Sequence, residues 1–172
     1  MTKLTADDFN RLYRTNARRV QGFFLRMTGD PMLAEDLTQE LFTRLWERRD
    51  SFDGRQGTFT TWMFCAAYNL CKNEYRHREV AETWKAVSTD DDTAPAADAA
   101  LDREEQKRLL SEAVRRLPDG IREVFLLRYE EELPISDVAQ ILGIPEGTVK
   151  SRAYTALRTL HEEMKTYFNP TI

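Results

Sequence analysis

Apolar residues recur every three to four positions along most of this chain, and the rhythm breaks at a few places rich in Gly, Pro and Asp. Phe9, Leu12, Tyr13, Ala17, Val20, Phe23, Phe24 and Met27 keep one helix face, which predicts a helix over residues 6–28. Gly29-Asp30-Pro31 stops it and starts the next, because Asp can cap a helix and Pro suits the first helical position. The second helix runs to about residue 48, with Leu33, Leu37, Leu41, Phe42 and Leu45 on its apolar side. A polar, Gly-containing loop over residues 50–57 leads to a third helix over residues 60–78.

The third helix is the informative one. At about 100° per residue, Met63, Phe64, Ala67, Tyr68, Leu70, Cys71 and Tyr75 share one broad side, the expected core face. Trp62, Ala66, Asn69, Asn73 and Arg76 fall on the opposite side, with Lys72 at its edge. An aromatic plane, amides and cations together suit unstacked bases and phosphates. A half-buried Trp beside ordinary surface charges fits the same stripe.

Farther along, residues 101–117 read as a helix ended by Pro118-Asp-Gly120, and residues 121–129 as another, with Val124, Phe125 and Leu127 apolar. Residues 135–154 then have a helix-turn-helix layout. Ser136 is placed to cap its first helix, Ala139 is small enough for a close crossing, and Gly143 supplies the left-handed turn residue. Ile144 plugs the space between the helices, and Pro145-Glu-Gly-Thr148 opens the second one. With Val149 facing inward, Thr148, Lys150, Ser151, Arg152 and Thr155 are the candidates for a DNA major groove. A helical hairpin that binds protein is the plainer alternative.

Composition supports helices: only seven Gly and six Pro stand among 172 residues, too few for a sandwich of strands and turns. No apolar run approaches the roughly 18 residues of a membrane span, and residues 1–10 lack a signal-peptide pattern, so the expected location is the cytoplasm. The net charge of −4 is unevenly spread: residues 1–80 hold 13 Lys and Arg against 11 Asp and Glu, residues 81–106 hold 2 against 8, and residues 107–172 hold 10 against 10. The acidic stretch over residues 88–98 has no apolar periodicity and reads as a flexible linker. The expected architecture is all-α, with two small helical domains joined by that linker. A free-standing DNA binder usually carries a basic surplus; here a partner must supply much of the grip.

Catalytic and metal chemistry find little support. Cys65 and Cys71 are six residues apart, neither a redox CxxC nor a zinc pair, and are expected to pack as small apolar residues. His77 and His161 have no ligand-spaced Cys, Asp or Glu beside them. No phosphate loop, nucleophile–His arrangement or paired metal ligands are present, so neither an enzyme nor a cofactor is expected.

Several of these residues carry a family resemblance. Asp36-Leu-Thr-Gln-Glu-Leu-Phe42 followed by Leu45-Trp46, then Phe59-Thr-Thr-Trp62 with Asn69 and Arg76, resembles region two of bacterial sigma factors. Leu117-Pro118, Arg122-Glu-Val-Phe-Leu-Leu-Arg-Tyr129 and Gly147-Thr-Val-Lys-Ser-Arg152 resemble region four. The short length and missing central domain resemble the extracytoplasmic-function group. The resemblance implies a specificity subunit of RNA polymerase, with region two over residues 1–80, an acidic linker over 81–104 and region four over 105–172. By that likeness Asp36, Leu37, Gln39, Glu40 and Phe42 would dock on the beta-prime coiled coil of core polymerase. Trp62, Asn69, Lys72, Asn73 and Arg76, with the loop of residues 51–58, would open and read the minus-ten element. Thr148, Lys150, Ser151, Arg152 and Thr155 would read the minus-thirty-five element while this domain touches the polymerase flap. The linker would thread toward the active-site cleft, and an anti-sigma factor is a further implied partner.

The chain departs from the family pattern in three places. Trp62-Met63 stands where primary sigma factors carry an aromatic pair, which implies a weaker melting wedge and a stricter promoter requirement. Thr155 replaces a basic residue, removing one phosphate contact, and Asn73 stands where many relatives have Asp. The competing readings are a homodimeric helix-turn-helix regulator, which needs a dimer interface and a more basic recognition domain, and an adaptor without a DNA role.

Overall fold

The computed structural model describes residues 4–55, 57–82 and 103–168. Among them are seven α-helices and no strand: α1 Ala6–Thr28, α2 Pro31–Glu47, α3 Phe59–Glu82, α4 Arg103–Arg116, α5 Asp119–Phe125, α6 Ile135–Leu142 and α7 Glu146–Phe168. The expected all-α architecture is present, as a bundle of α1–α3 and a second group of α4–α7. Most of the acidic stretch, over residues 83–102, lies outside the described residues.

Helix ends follow local chemistry. Thr5 and Asp8 form a reciprocal capping box on α1, and the carboxyl of Asp8 is held below the usual carboxylate range chiefly by its bond to the Thr5 side chain. Gly29 closes α1 in the left-handed region at φ 70°. Asp30 then accepts from the backbone N–H groups of Met32 and Leu33, with Pro31 in the first turn of α2.

Three sequence expectations need correction. Helix α3 runs from Phe59 to Glu82, past the expected end at residue 78. The expected start of the next helix at residue 101 lies outside the described residues, and α4 is described from Arg103. Helix α5 starts at Asp119, because the Pro118 carbonyl already accepts from Ile121 and Arg122 N–H. It ends at Phe125 and gives way to one π-helical turn over Leu126–Glu130, in which Glu131 N–H reaches back to Leu126. Ser136 does not cap α6: Pro134 holds that position, its carbonyl accepting from Asp137 and Val138, and the Ser136 hydroxyl turns to the Asp137 carboxylate.

In the first domain Val20, Phe23, Phe24, Leu41, Leu45, Met63, Phe64 and Ala67 are buried, and Phe23 meets Phe64 edge to face at 5.3 Å. In the second, Ala113, Val124, Leu126, Leu127, Val138, Val149 and Ala156 are fully enclosed. Each fully buried Leu or Phe contributes roughly 1.5–3 kcal/mol of hydrophobic stabilisation. The two cores merge into one cluster, so the domains pack against each other, with α1 and α3 facing α4 and α6.

Candidate nucleic-acid interface

Helix α2 shows how its sequence divides a core side from a solvent side. Ala34, Leu37, Thr38, Leu41, Phe42 and Leu45 are buried, and Phe42 packs edge to face with Phe9 and with Tyr13, whose ring centroid is 4.8 Å away. Asp36, Gln39 and Glu40 are exposed on the opposite side, and Glu40 pairs with Arg44 one turn on. Of the five expected docking residues, three face solvent, while Leu37 and Phe42 hold the helix to the bundle. Met32, at 79% exposure, and Trp46, with Arg49 stacked over its ring at 4.1 Å, stand on the outer face with Asp36 and Gln39. Sequence reasoning gave Met32 no role and quoted Trp46 only within the region-two motif, although large apolar residues on the polar side of an amphipathic helix are the signal of an interface.

Helix α3 keeps the division expected of it. Met63, Phe64, Ala67, Leu70 and Cys71 are buried, and Tyr68 and Tyr75 are half-buried. Asn69, Lys72, Asn73 and Arg76 are exposed, with Lys72 Nζ 5.6 Å above the Tyr68 ring. Residues 62, 69, 73 and 76 form a stripe about 21 Å long at 1.5 Å per residue. Trp62, at the start of that stripe, is half-buried: its ring lies 5.3 Å from Phe52 and 5.8 Å from Phe59. These three rings tie the preceding loop to the first turn of α3. In that loop Asp53 accepts from Arg55 N–H, while Gln56 lies outside the described residues.

In the helix-turn-helix, Gly143 adopts φ 66° and Ile144 N–H returns to the Ala139 carbonyl, which closes α6 and aims the chain into α7. Val149, Ala153, Ala156 and Leu160 anchor α7 in the core. Lys150 and Ser151 are exposed, whereas Thr148, Arg152 and Thr155 are half-buried. The Ser151 and Thr155 hydroxyls bond back to carbonyls of their own helix. Arg152 leans toward α5, and a Cβ placed on Gly120 would stand 2.9 Å from its Nη1. Tyr154, 67% exposed, and Arg158, also exposed, continue the outward row begun by Gly147 and Ser151. They too escaped the sequence reading, though the i, i+3, i+7 spacing from Ser151 marks them.

Titration behaviour follows burial. The Tyr68 hydroxyl is pushed up to about 12, first by burial and then by the neighbouring Glu123 carboxylate, to which it donates at 3.2 Å. The Cys71 thiol is likewise pushed up to about 12 by burial, with Glu123 adding to the effect. Burial also raises the half-buried Cys65, so both thiols resist ionisation. Among the described residues no three His, Cys, Asp or Glu side chains are grouped to hold a metal ion, and no helix is long and apolar enough to cross a membrane.

Comparison with known proteins gives the arrangement a family. Residues 12–80 match Sigma-70 region 2, and residues 107–160 match Sigma-70, region 4. The ECF RNA polymerase sigma factor SigL of Mycobacterium tuberculosis is 32% identical over 153 residues, covering 87% of this chain and 84% of its own length. The ECF RNA polymerase sigma factor SigW of Bacillus subtilis is 31% identical over 153 residues, covering 81% of this chain and 80% of its own. Among solved structures, the sigma factor RpoE of Bartonella quintana, in complex with the anti-sigma factor NepR, superposes with a TM-score of 0.75 at 25% identity. That match covers 93% of this chain and 98% of the other. CnrH, in complex with the cytosolic domain of CnrY, shares the fold at a TM-score of 0.68 and 19% identity, over 94% of this chain and 90% of its own. This chain belongs to the sigma-70 family, in the extracytoplasmic-function group of RNA polymerase sigma factors.

Proposed function

We propose that this sigma factor divides its work among three outward helix faces, across region two at residues 1–80, a linker at 81–104 and region four at 105–172. It binds core RNA polymerase and directs promoter-specific initiation in the cytoplasm, acting as a specificity subunit and not as a catalyst. Helix α2 docks on the beta-prime coiled coil through Asp36, Gln39 and Glu40, with Met32 and Trp46 adding apolar area. Leu37 and Phe42 serve that surface from beneath by fixing the helix.

The α3 stripe of Trp62, Asn69, Lys72, Asn73 and Arg76 meets the minus-ten element as it opens. Stacking on an aromatic ring and hydrogen bonding to a base edge are available only once bases leave the duplex stack. The first half of α7 meets the minus-thirty-five element through Lys150 and Ser151, with Tyr154 and Arg158 completing the row and Thr148, Arg152 and Thr155 on its flank. The same domain touches the polymerase flap. An anti-sigma factor is a further partner, as the Bartonella RpoE complex supports.

The carrying observation is that an exposed polar stripe beside Trp62 and an exposed helix-turn-helix row occur in one chain, each backed by a fully buried face. Reconstituted transcription with core polymerase on a randomised promoter library tests the reading. Initiation from templates sharing two spaced elements is expected. Tight sequence-specific binding by the isolated protein, with no stimulation of polymerase, refutes it.

A further inference from the structure

The packed pair of α1 and α2 carries its charge unevenly. Helix α1 holds five arginines against two aspartates, and α2 holds four acidic residues against Arg44. Among the described residues no ion pair crosses between the two helices: Arg11 is held by Asp8, Arg19 and Arg26 by Glu131 and Glu130, and Arg44 by Glu40 of its own helix. Arg14 and Arg18 are left over. Both are exposed, and neither has an ion-pair or hydrogen-bond partner among the described residues. Glu35 and Asp36 face solvent on α2 and pair with neither. Two adjoining faces of opposite sign suit two different partners, and the acidic one is the face proposed above for polymerase.

The two free cations belong to a longer feature. Asp7, Arg11, Arg14, Arg18, Gln21 and Leu25 recur at i+3 and i+4, all exposed, in one straight row opposite the buried Phe9, Val20, Phe23 and Met27. Arg14 and Arg18 stand one turn apart, about 6 Å along the axis. Past Arg18 the row runs into a notch of about 190 Å³ at the seam of the two helices, lined by Arg18, Gln21, Gly22, Leu25, Pro31 and Ala34. Sites for whole small molecules hold roughly 300–1,000 Å³, so this one takes a single ring. Gly22 has no side chain to fill it, although Gly inside a helix costs about 1 kcal/mol against Ala; a Cβ there would stand 2.8 Å from Arg26 Nη1. Leu25, Pro31 and Ala34 make the notch apolar, and its rim carries the Arg18 guanidinium and the Gln21 amide, which has no partner among the described residues. An acidic protein surface needs only the cations. An apolar notch edged by an amide adds recognition of a flat ring with a polar edge, which a nucleic acid presents only when its bases are unstacked.

We propose that the outward row of α1 is a second track for single-stranded nucleic acid, separate from the α3 stripe. Arg14 and Arg18 meet successive phosphates, and the notch beside Gln21 receives one base. The row lies wholly within the first domain and owes nothing to Trp62. It rests on the proposed function only for the source of the strand, a promoter opened by the holoenzyme.

The test uses the full chain, alone and bound to core polymerase, with a fluorescent oligo-dT of about 12 nucleotides as the probe and a duplex of the same length beside it. Each phosphate contact on a single strand steepens the log–log dependence of affinity on salt by about 0.7. Arg14→Ala with Arg18→Ala is expected to flatten that slope by about 1.4, so the loss of affinity between about 50 and 200 mM salt shrinks roughly sevenfold. The α3 stripe contributes its own contacts equally to every variant. Gln21→Ala is expected to lower affinity roughly 2- to 12-fold at every salt concentration, with the slope unchanged. Arg108→Ala is the control, because Glu105 and Glu112 already meet that charge, and it should alter neither quantity. Melting temperatures should stay within about 2 °C of the unaltered chain, since these side chains are exposed. An unchanged slope in the double variant refutes the track, and a simultaneous loss of polymerase binding then makes the row a protein interface. Duplex binding as tight as that of the single strand, or no oligonucleotide binding by the unaltered chain in either form, refutes it as well. Absence of initiation by the unaltered chain with core polymerase overturns the proposed function, while the oligonucleotide slopes still decide the track.

Discussion

Replacing Trp62 by Ala separates its packing from the base-stacking role proposed for it. The ring packs against Phe52 and Phe59 but is only half-buried, so one side is available to a base. Truncating a fully buried Trp costs about 3–5 kcal/mol; half of that, about 2 kcal/mol, is expected here. For a chain of this size such a loss lowers the melting temperature by roughly 4–8 °C. It leaves the protein folded at 25 °C if total stability lies in the usual range of about 5–15 kcal/mol. Loss of one base-stacking contact, about 1–3 kcal/mol, lowers open-complex formation by roughly 5- to 150-fold. Asn69→Ala is the control: its side chain is exposed, so it should weaken opening with almost no change in melting temperature. Permanganate footprinting of the promoter reads the open complex, and a template carrying a pre-melted bubble should restore much of the activity of Trp62→Ala. If the bubble gives no rescue while polymerase binding is intact, Trp62 serves only the cluster with Phe52 and Phe59, and the stacking role is wrong.

Asp36→Arg or Gln39→Ala should weaken core-polymerase binding in a pull-down without lowering the melting temperature, whereas Leu37→Ala should destabilise the fold by about 2–5 kcal/mol; unfolding by either of the first two contradicts the interface. Lys150→Ala and Tyr154→Ala should each reduce dependence on the upstream element, at about 1–3 kcal/mol for a base contact, and unchanged promoter choice in both rejects α7 as the reader. Burial raises Glu123, Glu130 and Glu131, all at the domain junction, against the opposing pull of Tyr68, Arg122 and Arg152 on the first, Arg26 on the second, and Arg19 and Arg26 on the third; Asp119 and Glu131 add to the rise of Glu123 and Glu130 respectively. Because these carboxyls hold protons more tightly when buried, their contribution is full below the ordinary glutamate pKa of 4.5 and is lost as pH rises through the elevated values. Melting temperature followed from pH 4.5 upward should show a declining term that shrinks in Glu130→Gln, and an unchanged slope contradicts this assignment.

Much of this organisation is legible in the amino-acid order. Helix α1 has the bounds its apolar rhythm predicts, and Gly29-Asp30-Pro31 acts as the stop and start that its residue chemistry requires. The periodicity of α3 correctly separates Met63, Phe64, Ala67 and Cys71 from Asn69, Asn73 and Arg76, because a helix turns each residue by a fixed angle. Where the reading slipped, competition between local groups decided the outcome. Ser136 had the chemistry of a cap, but the Pro134 carbonyl lay two residues earlier and took the free N–H groups of Asp137 and Val138.

The sequence by itself determined the helices, their inward faces and the family, since each depends on spacing within one element or on motifs in order. Only the tertiary structure decided what those faces meet. Glu130 and Glu131 meet Arg26 and Arg19 only because a π-helical turn and the packing of α1 bring them together. Tyr68 and Glu123 are 55 residues apart and Thr61 and Asp137 are 76 apart, so no local pattern encodes their bonds. Trp62 shares a stripe with Asn69 by helical geometry, but its partial burial depends on Phe52 folding back from the preceding loop. Periodicity constrains direction around one axis; distance between axes arises only when the cores of both domains close on each other.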